Sequence, residues 1–195
     1  MIEVEKKFRL KPGDEERLIA GAEFVSEKLV IDTYYDAADY RLTTKDWWLR
    51  YRDGRWEIKI AEHDRGHGKR AVDQYKEIEN EEGIRQAIGL EVRADFLSDL
   101  TTAGYKPFIT VKTTRRKYHK ENFTIDIDSM DFGYEICEIE RMAEDGVDAD
   151  KLAEQILAFA AQHGLEHASV RGKVVEYLYR FAPEHYKALG DAGVL

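Results

Sequence analysis

The N-terminal stretch Ile2-Glu3-Val4-Glu5-Lys6-Lys7-Phe8 alternates apolar and charged residues over most of its length. Successive side chains of a β-strand point to opposite faces, so a strand here would place Glu3, Glu5 and Lys7 on one face. A face of this kind is usually solvated, with the apolar face packed inward. The fold therefore depends on whether other strands carry matching charges that would make this face an interior.

Ionisable residues at positions i and i+2 recur in the other predicted strands. The alternation and turn signals predict these strands at Phe24 to Tyr35, Asp46 to Arg52, Arg55 to Ala61, Ala71 to Ile78, Tyr105 to Lys120, Phe123 to Ser129 and Tyr134 to Met142. The same-face pairs are Arg50 with Arg52, Glu57 with Lys59, Tyr75 with Glu77, Arg115 with Lys117, Asp126 with Asp128, and Glu138 with Glu140. The opposite faces carry apolar residues such as Leu49, Ile125 and Ile139.

The predicted helices could cover those apolar faces. Helical patterns occur at Glu15 to Ala22 after a possible cap at Asp14, Glu81 to Leu90, Arg93 to Ala103, Asp148 to His163, Val170 to Phe181, and from Pro183 onward. The pattern indicates an antiparallel α+β fold with about eight strands, and leaves two arrangements open. Either the charged faces are solvated over a separate core, or the strands close into a barrel with charges in the lumen and helices outside.

Composition restricts the class of protein. The 195 residues suit one domain, and 3 prolines argue against long disordered linkers. The single cysteine, Cys137, excludes an internal disulfide and a cysteine metal cluster, and fits a reducing compartment. No apolar run approaches the ~20 residues of a membrane span, and no signal peptide is recognisable. The net charge of −9 disfavours nucleic-acid binding through a basic surface. We therefore expect a cytoplasmic protein, as a monomer without nucleic-acid or membrane partners.

The charged faces carry the two residue types that a polyphosphate site needs. The cations are suited to phosphate oxygens, which arginine can bind in a bidentate way: Lys7, Arg50, Arg52, Lys59 and Arg115. The carboxylates are the hard oxygen ligands that Mg²⁺ prefers: Glu3, Glu5, Asp126, Asp128, Glu138 and Glu140. The sequence has no P-loop motif, no histidine pair at zinc spacing and no Gly-x-Ser-x-Gly stretch.

Taken together, these stretches resemble the CYTH superfamily, also called triphosphate tunnel metalloenzymes. The matching stretches follow in family order: Ile2 to Phe8, Asp32 to Asp36, Trp48 to Arg52, Trp56 to Lys59, Tyr75 to Glu77, Asp126 to Asp128, Asp131 to Tyr134, Glu138 to Glu140, and Gly172-Lys173 to Tyr179-Arg180-Phe181. Within the superfamily, the stretches at Tyr75, Asp131 and Tyr177 look most like the thiamine triphosphatases of the animal type.

The resemblance implies a closed eight-stranded antiparallel β-barrel in a single domain over residues 1–195, with bound Mg²⁺ or Mn²⁺. It implies hydrolysis of the terminal phosphate of a small-molecule triphosphate, with thiamine triphosphate as the expected substrate. The implied metal-binding residues are Glu3, Glu5 and Glu140, with Glu138 and Asp126 near them. The implied triphosphate-binding residues are Lys7, Arg50, Arg52, Arg115 and Lys173. Lys59, with Tyr34, would orient or activate the attacking water, with a pKa lowered by neighbouring cations if it acts as a base.

A thiamine ring is cationic, so the aromatic faces of Trp48 and Tyr75 could stack on it, with Glu77 also counted as substrate-binding. Several of these residues have simpler interpretations. Trp48 and Tyr75 could fill the tunnel mouth, Tyr34 could be a core residue, and Lys173 could be a solvated helix lysine. We expect Glu79 and Lys117 at the surface or behind the site, Asp128 paired with a lumen arginine, His63 and His67 in a mobile exposed loop, and Cys137 in the core.

Three other functions remain open at this point. An inorganic tripolyphosphatase would use the same phosphate and metal residues without recognising an organic group. A class IV adenylyl cyclase shares the tunnel. A binding module for polyphosphate or nucleoside triphosphates would need the cations but not Lys59 and the full set of carboxylates.

Overall fold

Eight strands form a closed antiparallel barrel. The computed structural model describes residues 2–61, 72–143, 148–166 and 168–195. The strands are β1 (Ile2–Phe8), β2 (Glu23–Asp36), β3 (Trp47–Arg52), β4 (Arg55–Ala61), β5 (Asp73–Ile78), β6 (Lys106–Lys120), β7 (Phe123–Met130) and β8 (Tyr134–Ala143). They follow one another around the barrel as β1-β5-β4-β3-β2-β6-β7-β8, and each neighbouring pair is antiparallel. The predicted closed eight-stranded barrel is confirmed.

The register brings the charged faces of neighbouring strands together. Residues directly opposite each other in antiparallel strands share a face. Glu5 of β1 lies opposite Glu140 of β8, and Arg50 of β3 lies opposite Glu57 of β4. Because Glu5, Glu140 and Arg50 are largely withdrawn from solvent, this shared face is the lumen of the barrel.

The helices cover the outside of the barrel. They are α1 (Asp14–Ile19), α2 (Glu81–Ile88), α3 (Phe96–Thr102), α4 (Ala149–Gln162), α5 (Lys173–Phe181) and α6 (Pro183–Asp191), with a short 3₁₀ turn at Thr43–Lys45. Their apolar faces meet the apolar faces of the strands, as when Ile156 of α4 packs in one buried cluster with Val4 and Ile139. A second cluster joins Leu49 and Leu100, on β3 and α3. This cover is what allows the charged faces to point inward.

Several predicted boundaries shift for identifiable reasons. Asp14 is the first helical residue rather than the cap: Gly13 occupies the cap position with φ 87°, and the Asp14 carboxylate accepts the Lys11 backbone N–H at 2.8 Å. Helix α5 begins at Lys173 because Gly172 is extended. The predicted loop Glu62 to Arg70, with His63 and His67, lies outside the described residues. No described helix has the length and apolar character needed to cross a membrane.

Candidate active site

Three carboxylates converge on one wall of the lumen. Glu3 and Glu5 come from β1 and Glu140 comes from β8, and one oxygen of each lies within 4.8 Å of the others. Glu3 and Glu5 are buried, with 7% and 4% of their surface exposed. Strand pairing explains the convergence, because Glu5 lies opposite Glu140 and Glu3 is two residues away on the same face.

In this acidic cluster, burial and neighbouring charges shift the pKa values of all three carboxylates from their ordinary values. Burial, reinforced by Glu3, raises the pKa of Glu5 to about 7 even though Lys7 and Lys59 oppose the shift. Burial and Glu3 raise the pKa of Glu140 well above its ordinary value. Burial also acts to raise the pKa of Glu3, but Lys59, Glu140 and Arg50 together outweigh it and the pKa is lowered. Hard carboxylate oxygens crowded to this degree fit a divalent ion such as Mg²⁺ or Mn²⁺, whose charge would relieve the repulsion.

Arg115 pairs with the other two predicted metal ligands, Asp126 and Glu138. Its guanidinium lies 2.5 Å from Asp126, 2.5 Å from Asp128 and 2.8 Å from Glu138. Asp126 and Glu138 therefore border the acidic cluster while being held by Arg115. Burial lowers the pKa of Arg115, but Asp128 and the other carboxylates outweigh it and raise it. The predicted pairing of Asp128 with a lumen arginine is confirmed.

The two arginines of β3 share a buried aspartate. Arg52 donates to both oxygens of Asp32, at 2.5 and 2.8 Å. Arg50 pairs with Glu57 and lies 4.0 Å from Asp32. Asp32 is fully buried; burial acts to raise its pKa, but Lys173 and the two arginines hold it below the ordinary value. Both guanidinium groups are thus fixed in orientation before any ligand enters.

The first residue of α5 reaches into the lumen. Lys173 is only 7% exposed, and its Nζ lies 3.1 Å from Asp32 and 3.8 Å from Asp128. The interpretation of Lys173 as a solvated helix lysine is therefore wrong. Gly172 makes the approach possible, because a Cβ on it would lie 3.2 Å from Cε of Lys7.

Lys7 and Lys59 reach the acidic cluster from two sides. Lys7 pairs with Glu5 and lies 2.7 Å from Asp73. Lys59 pairs with Glu3 and lies 3.8 Å from Glu5 and 3.1 Å from Glu77. Its ammonium group is therefore surrounded mainly by carboxylates.

The environment of Lys59 shifts its pKa in the direction opposite to the expected one. Burial lowers the pKa of Lys59, but Glu5 and Glu3 outweigh burial, so the pKa is raised. The expectation that neighbouring cations lower this pKa is thus wrong for this arrangement of charges. Tyr34, 3% exposed and directly opposite Arg50, faces the lumen and also belongs to an apolar cluster with Val174.

Two aromatic residues meet at one rim of the barrel. Trp48 is 8% exposed, and its Nε1–H donates to Asp46 Oδ1 at 2.8 Å. The Tyr75 hydroxyl donates to the same oxygen at 3.2 Å. The ring of Tyr75 also lies 5.8 Å from the Lys59 ammonium.

Some lumen residues were missed or misplaced by the sequence reasoning. Lys117, expected at the surface or behind the site, faces the lumen, with Nζ 2.9 Å from Asp126 and 3.3 Å from Glu140. Asp32 could have been found from its i, i+2 relation to Tyr34. Three further residues at the site either had no such spacing signal in the sequence or were assigned no role from it: Asp46, Glu57 and Asp73. Glu79 is exposed and Cys137 is buried in the core, as expected.

Comparison with known proteins agrees with this geometry. The family described as "CYTH domain" matches residues 1–172. The chain belongs to the CYTH family. The match ends one residue before Lys173, although the side chain of Lys173 lies in the lumen of the CYTH barrel.

Relatives and solved structures extend this comparison. The CYTH chain is 29% identical to human thiamine-triphosphatase over 207 residues, which covers 97% of this chain and 89% of the relative. Thiamine-triphosphatase of Macaca fascicularis is similarly 29% identical over 209 residues, with the same coverage. The PH1819 protein of Pyrococcus horikoshii OT3 has the same fold, with TM-score 0.67 and 21% identity, covering 91% of this chain and 99% of that one.

Proposed function

We propose that this CYTH protein hydrolyses the terminal phosphate of thiamine triphosphate in a reaction that depends on Mg²⁺, with Mn²⁺ as an alternative ion. One observation carries the proposal. A buried lumen places three convergent carboxylates beside a set of oriented cations, namely Lys7, Arg50, Arg52, Arg115 and Lys173. Phosphoryl transfer requires mainly positioning and charge neutralisation, and both residue types supply these.

The cations would bind the phosphate chain. In the structure each of them pairs with lumen carboxylates, for example Arg52 with Asp32 and Arg115 with Asp128. These pairs hold the cations at fixed positions in a site that excludes most water, where charge-assisted hydrogen bonds to phosphate oxygens are strong. Because Lys173 shares Asp32 with Arg52, helix α5 would help to set the position of the phosphate-binding groups.

Glu3, Glu5 and Glu140 would hold the divalent ion, with Asp126 and Glu138 near them. When bound, the ion neutralises charge on the phosphate oxygens. Lys59 and Tyr34 would orient the attacking water, Lys59 as a protonated donor in keeping with its raised pKa. Water oxygen bonds to the terminal phosphorus and the bridging P–O bond breaks. The electron pair leaves with thiamine diphosphate, and the proton of the water is lost to solvent or to the released phosphate.

The choice of thiamine triphosphate rests on two supports. Trp48 and Tyr75 present aromatic surface beside the lumen, which suits a cationic ring. Glu77 pairs with the Lys59 ammonium group, close to Tyr75. The human and macaque relatives are named thiamine-triphosphatases. The structure also favours one domain over residues 1–195, since Lys173 beyond the matched region completes the lumen.

A substrate panel tests the proposal. Steady-state rates with thiamine triphosphate, tripolyphosphate and ATP, with Mg²⁺ and with EDTA, should give the highest kcat/KM for thiamine triphosphate and no turnover without metal. A far higher kcat/KM for tripolyphosphate would identify an inorganic tripolyphosphatase. Cyclic AMP formed from ATP would identify an adenylyl cyclase, and tight binding without phosphate release would identify a binding module.

A further inference from the structure

The lumen contains buried polar atoms that lack a well-aligned hydrogen-bond partner. Among the residues that the structure describes there are three such side-chain atoms: Arg50 Nε, Thr113 Oγ1 and Asp126 Oδ1. All three residues occupy lumen-facing positions of their strands. Arg50 and Asp126 are charged and keep ion-pair partners, Glu57 and Arg115. The hydroxyl is the only polar group of the Thr113 side chain, so its burial is offset by no second contact of that side chain.

The surroundings of Thr113 on the sheet would suit an apolar residue. Thr113 is fully buried on β6, and the residues opposite it on the two neighbouring strands are Val30 and Met130. A valine has nearly the same shape and would fill this position without an unpaired hydroxyl. Because buried polar groups in proteins are nearly always hydrogen-bonded, the hydroxyl of Thr113 calls for an explanation. A ligand in the lumen would supply the missing partner.

The Lys173 ammonium group locates Thr113 within the proposed phosphate-binding region. Its Nζ lies 3.1 Å from Asp32 on β2 and 3.8 Å from Asp128 on β7, the two strands that flank β6. Asp32 lies opposite the residue two positions before Thr113, and Asp128 lies opposite the residue two positions after it. An ammonium group that contacts both carboxylates therefore lies on the lumen side of β6, close to Thr113.

The groups around the Thr113 hydroxyl leave its proton without an acceptor. Arg115 is two residues further along the same face of β6, a separation of about 6.6 Å. Both oxygens of the adjacent Asp128 already accept from Arg115, at 2.6 and 2.5 Å. The Arg115 guanidinium and the Lys173 ammonium group can only donate hydrogen bonds. A phosphate oxygen drawn to these two cations would be a strong acceptor for the hydroxyl.

We propose that Thr113 is a further phosphate-binding residue, whose hydroxyl donates a hydrogen bond to a phosphate oxygen held by Arg115 and Lys173. This inference rests on the proposed function in one respect, namely that a phosphate chain enters the lumen. Thr113 contributes to recognition of the phosphate chain and takes no part in the choice of the organic group. Its effect is therefore the same for thiamine triphosphate and for tripolyphosphate.

Three substitutions test the role of the hydroxyl. Thr113→Val removes it and keeps the shape, Thr113→Ser retains it, and Thr114→Val makes the same change at the next residue, which is exposed on the outside of β6. The ligand is tripolyphosphate with imido groups in place of its bridging oxygens, bound in the presence of Mg²⁺, so that calorimetry measures affinity without turnover. Thr113→Val should lower this affinity about tenfold, the loss expected for one hydrogen bond to a charged group. Thr113→Ser should stay within about twofold of the wild type, and Thr114→Val should not change the affinity.

Thermal unfolding without ligand distinguishes a binding role from a structural one. A hydroxyl without a partner does not stabilise the ligand-free protein, so Thr113→Val should have a Tm equal to or above that of the wild type. A lower Tm would show that the hydroxyl supports the fold and would overturn the proposal. Wild-type affinity in Thr113→Val, or affinity in Thr113→Ser as weak as in Thr113→Val, would overturn it as well. A wild type that binds the analogue but does not hydrolyse thiamine triphosphate would refute the proposed function, while the comparison of variants would still decide the role of Thr113.

Discussion

Glu5 combines burial, a raised pKa and a position in the acidic cluster. It is 4% exposed and lies near Glu3 and Glu140. A carboxamide in its place keeps the shape but loses the charge that a divalent ion requires. Glu5→Gln should therefore lower metal-dependent kcat by at least ~100-fold. This loss is larger than the one expected when a residue that only supports the metal ligands is changed. Rates measured across a Mg²⁺ titration provide the check.

The same substitution should leave the metal-free protein folded. An ionised carboxylate is costly to bury, so its removal relieves repulsion with Glu3 and Glu138. Urea unfolding in EDTA should give a free energy of unfolding equal to or above that of the wild type. Glu27→Gln, on the exposed part of β2, is the control and should alter neither quantity. Unchanged turnover in Glu5→Gln would remove Glu5 from the site.

At the scale of residues, strand parity was the informative signal. It placed Glu3, Glu5 and Lys7 on one face correctly, because side-chain alternation in a strand is a local property. It could not reveal which charges pair across the lumen. Lys117 shows this limit: it obeys the parity of Arg115, yet its contacts with Asp126 and Glu140 depend on the register of three strands. The raised pKa of Lys59 likewise depends on carboxylates from other strands.

At the scale of elements, the start of α5 sets the position of two lumen lysines. A Cβ on Gly172 would lie 3.2 Å from Cε and 3.7 Å from Cδ of Lys7. Lys7 is held by Glu5 and Asp73, so it can move only by weakening those pairs. Gly172→Ala should raise KM for the triphosphate several-fold, with a loss of stability of about 1 kcal/mol or less at this cap position. Kinetics and thermal unfolding on the same preparation would show both.

Gly190 in α6 offers the matched substitution. A Cβ there would lie 3.6 Å from Leu195, an ordinary contact. Gly190→Ala should leave KM unchanged and raise helix stability by up to about 1 kcal/mol. An unchanged KM in Gly172→Ala would show that Lys7 adapts without affecting the phosphate site.

Helix α6 is fastened to the 3₁₀ turn by a buried histidine. His185 is 4% exposed, its Nε2 lies 2.7 Å from Thr43 Oγ1, and its ring stacks on Tyr40 at 3.9 Å. The Thr43 hydroxyl donates to Asp36, so the imidazole donates to Thr43. Burial lowers the pKa of His185, which the Asp36 carboxylate only partly opposes.

The lowered pKa of His185 makes the attachment of α6 sensitive to acid. Below pH ~6.5 an unfolded histidine takes up a proton that the folded one resists. The contribution of His185 to stability is therefore present above that pH and is lost as the pH falls toward the folded pKa. Urea unfolding at pH 7.5 and 5.0 should show a smaller pH dependence in His185→Gln than in the wild type. His119→Gln, at an exposed position on β6, should retain the wild-type dependence.

At the scale of the whole molecule, the same-face charges allowed a closed barrel without selecting it over solvated charged faces, and the family resemblance decided between the two. Local alternation predicts strands, and the helices supply the apolar cover that an inward charged face demands. The strand order could not be read from hairpins alone. It pairs β1 with both β5 and β8, and β2 with β6, which are contacts between distant segments. The position of Lys173 depends on those contacts, so its role came from the family resemblance alone.

The charges of the whole lumen also predict how the stability of the protein should respond to metal. Among the described residues, burial raises the pKa values of Glu5 and Glu140, and neighbouring carboxylates add to the rise. A bound divalent cation would oppose both effects. An ion that binds this folded arrangement, and not the unfolded chain, stabilises the fold by about 2.7 kcal/mol at a concentration 100 times its Kd. For a chain of this size that corresponds to a Tm increase of roughly 5–10 °C.

Thermal unfolding without substrate therefore tests the metal site independently of activity. Mg²⁺ or Mn²⁺ should raise the Tm of the wild type, while NaCl at the same ionic strength should have little effect, since it screens charges without occupying the cluster. The Glu3→Gln/Glu5→Gln double variant should lose the Mg²⁺ response because two of the three convergent carboxylates are gone. A Tm increase that survives in the double variant would place the ion elsewhere, and no increase in the wild type would argue against a metal site in the lumen.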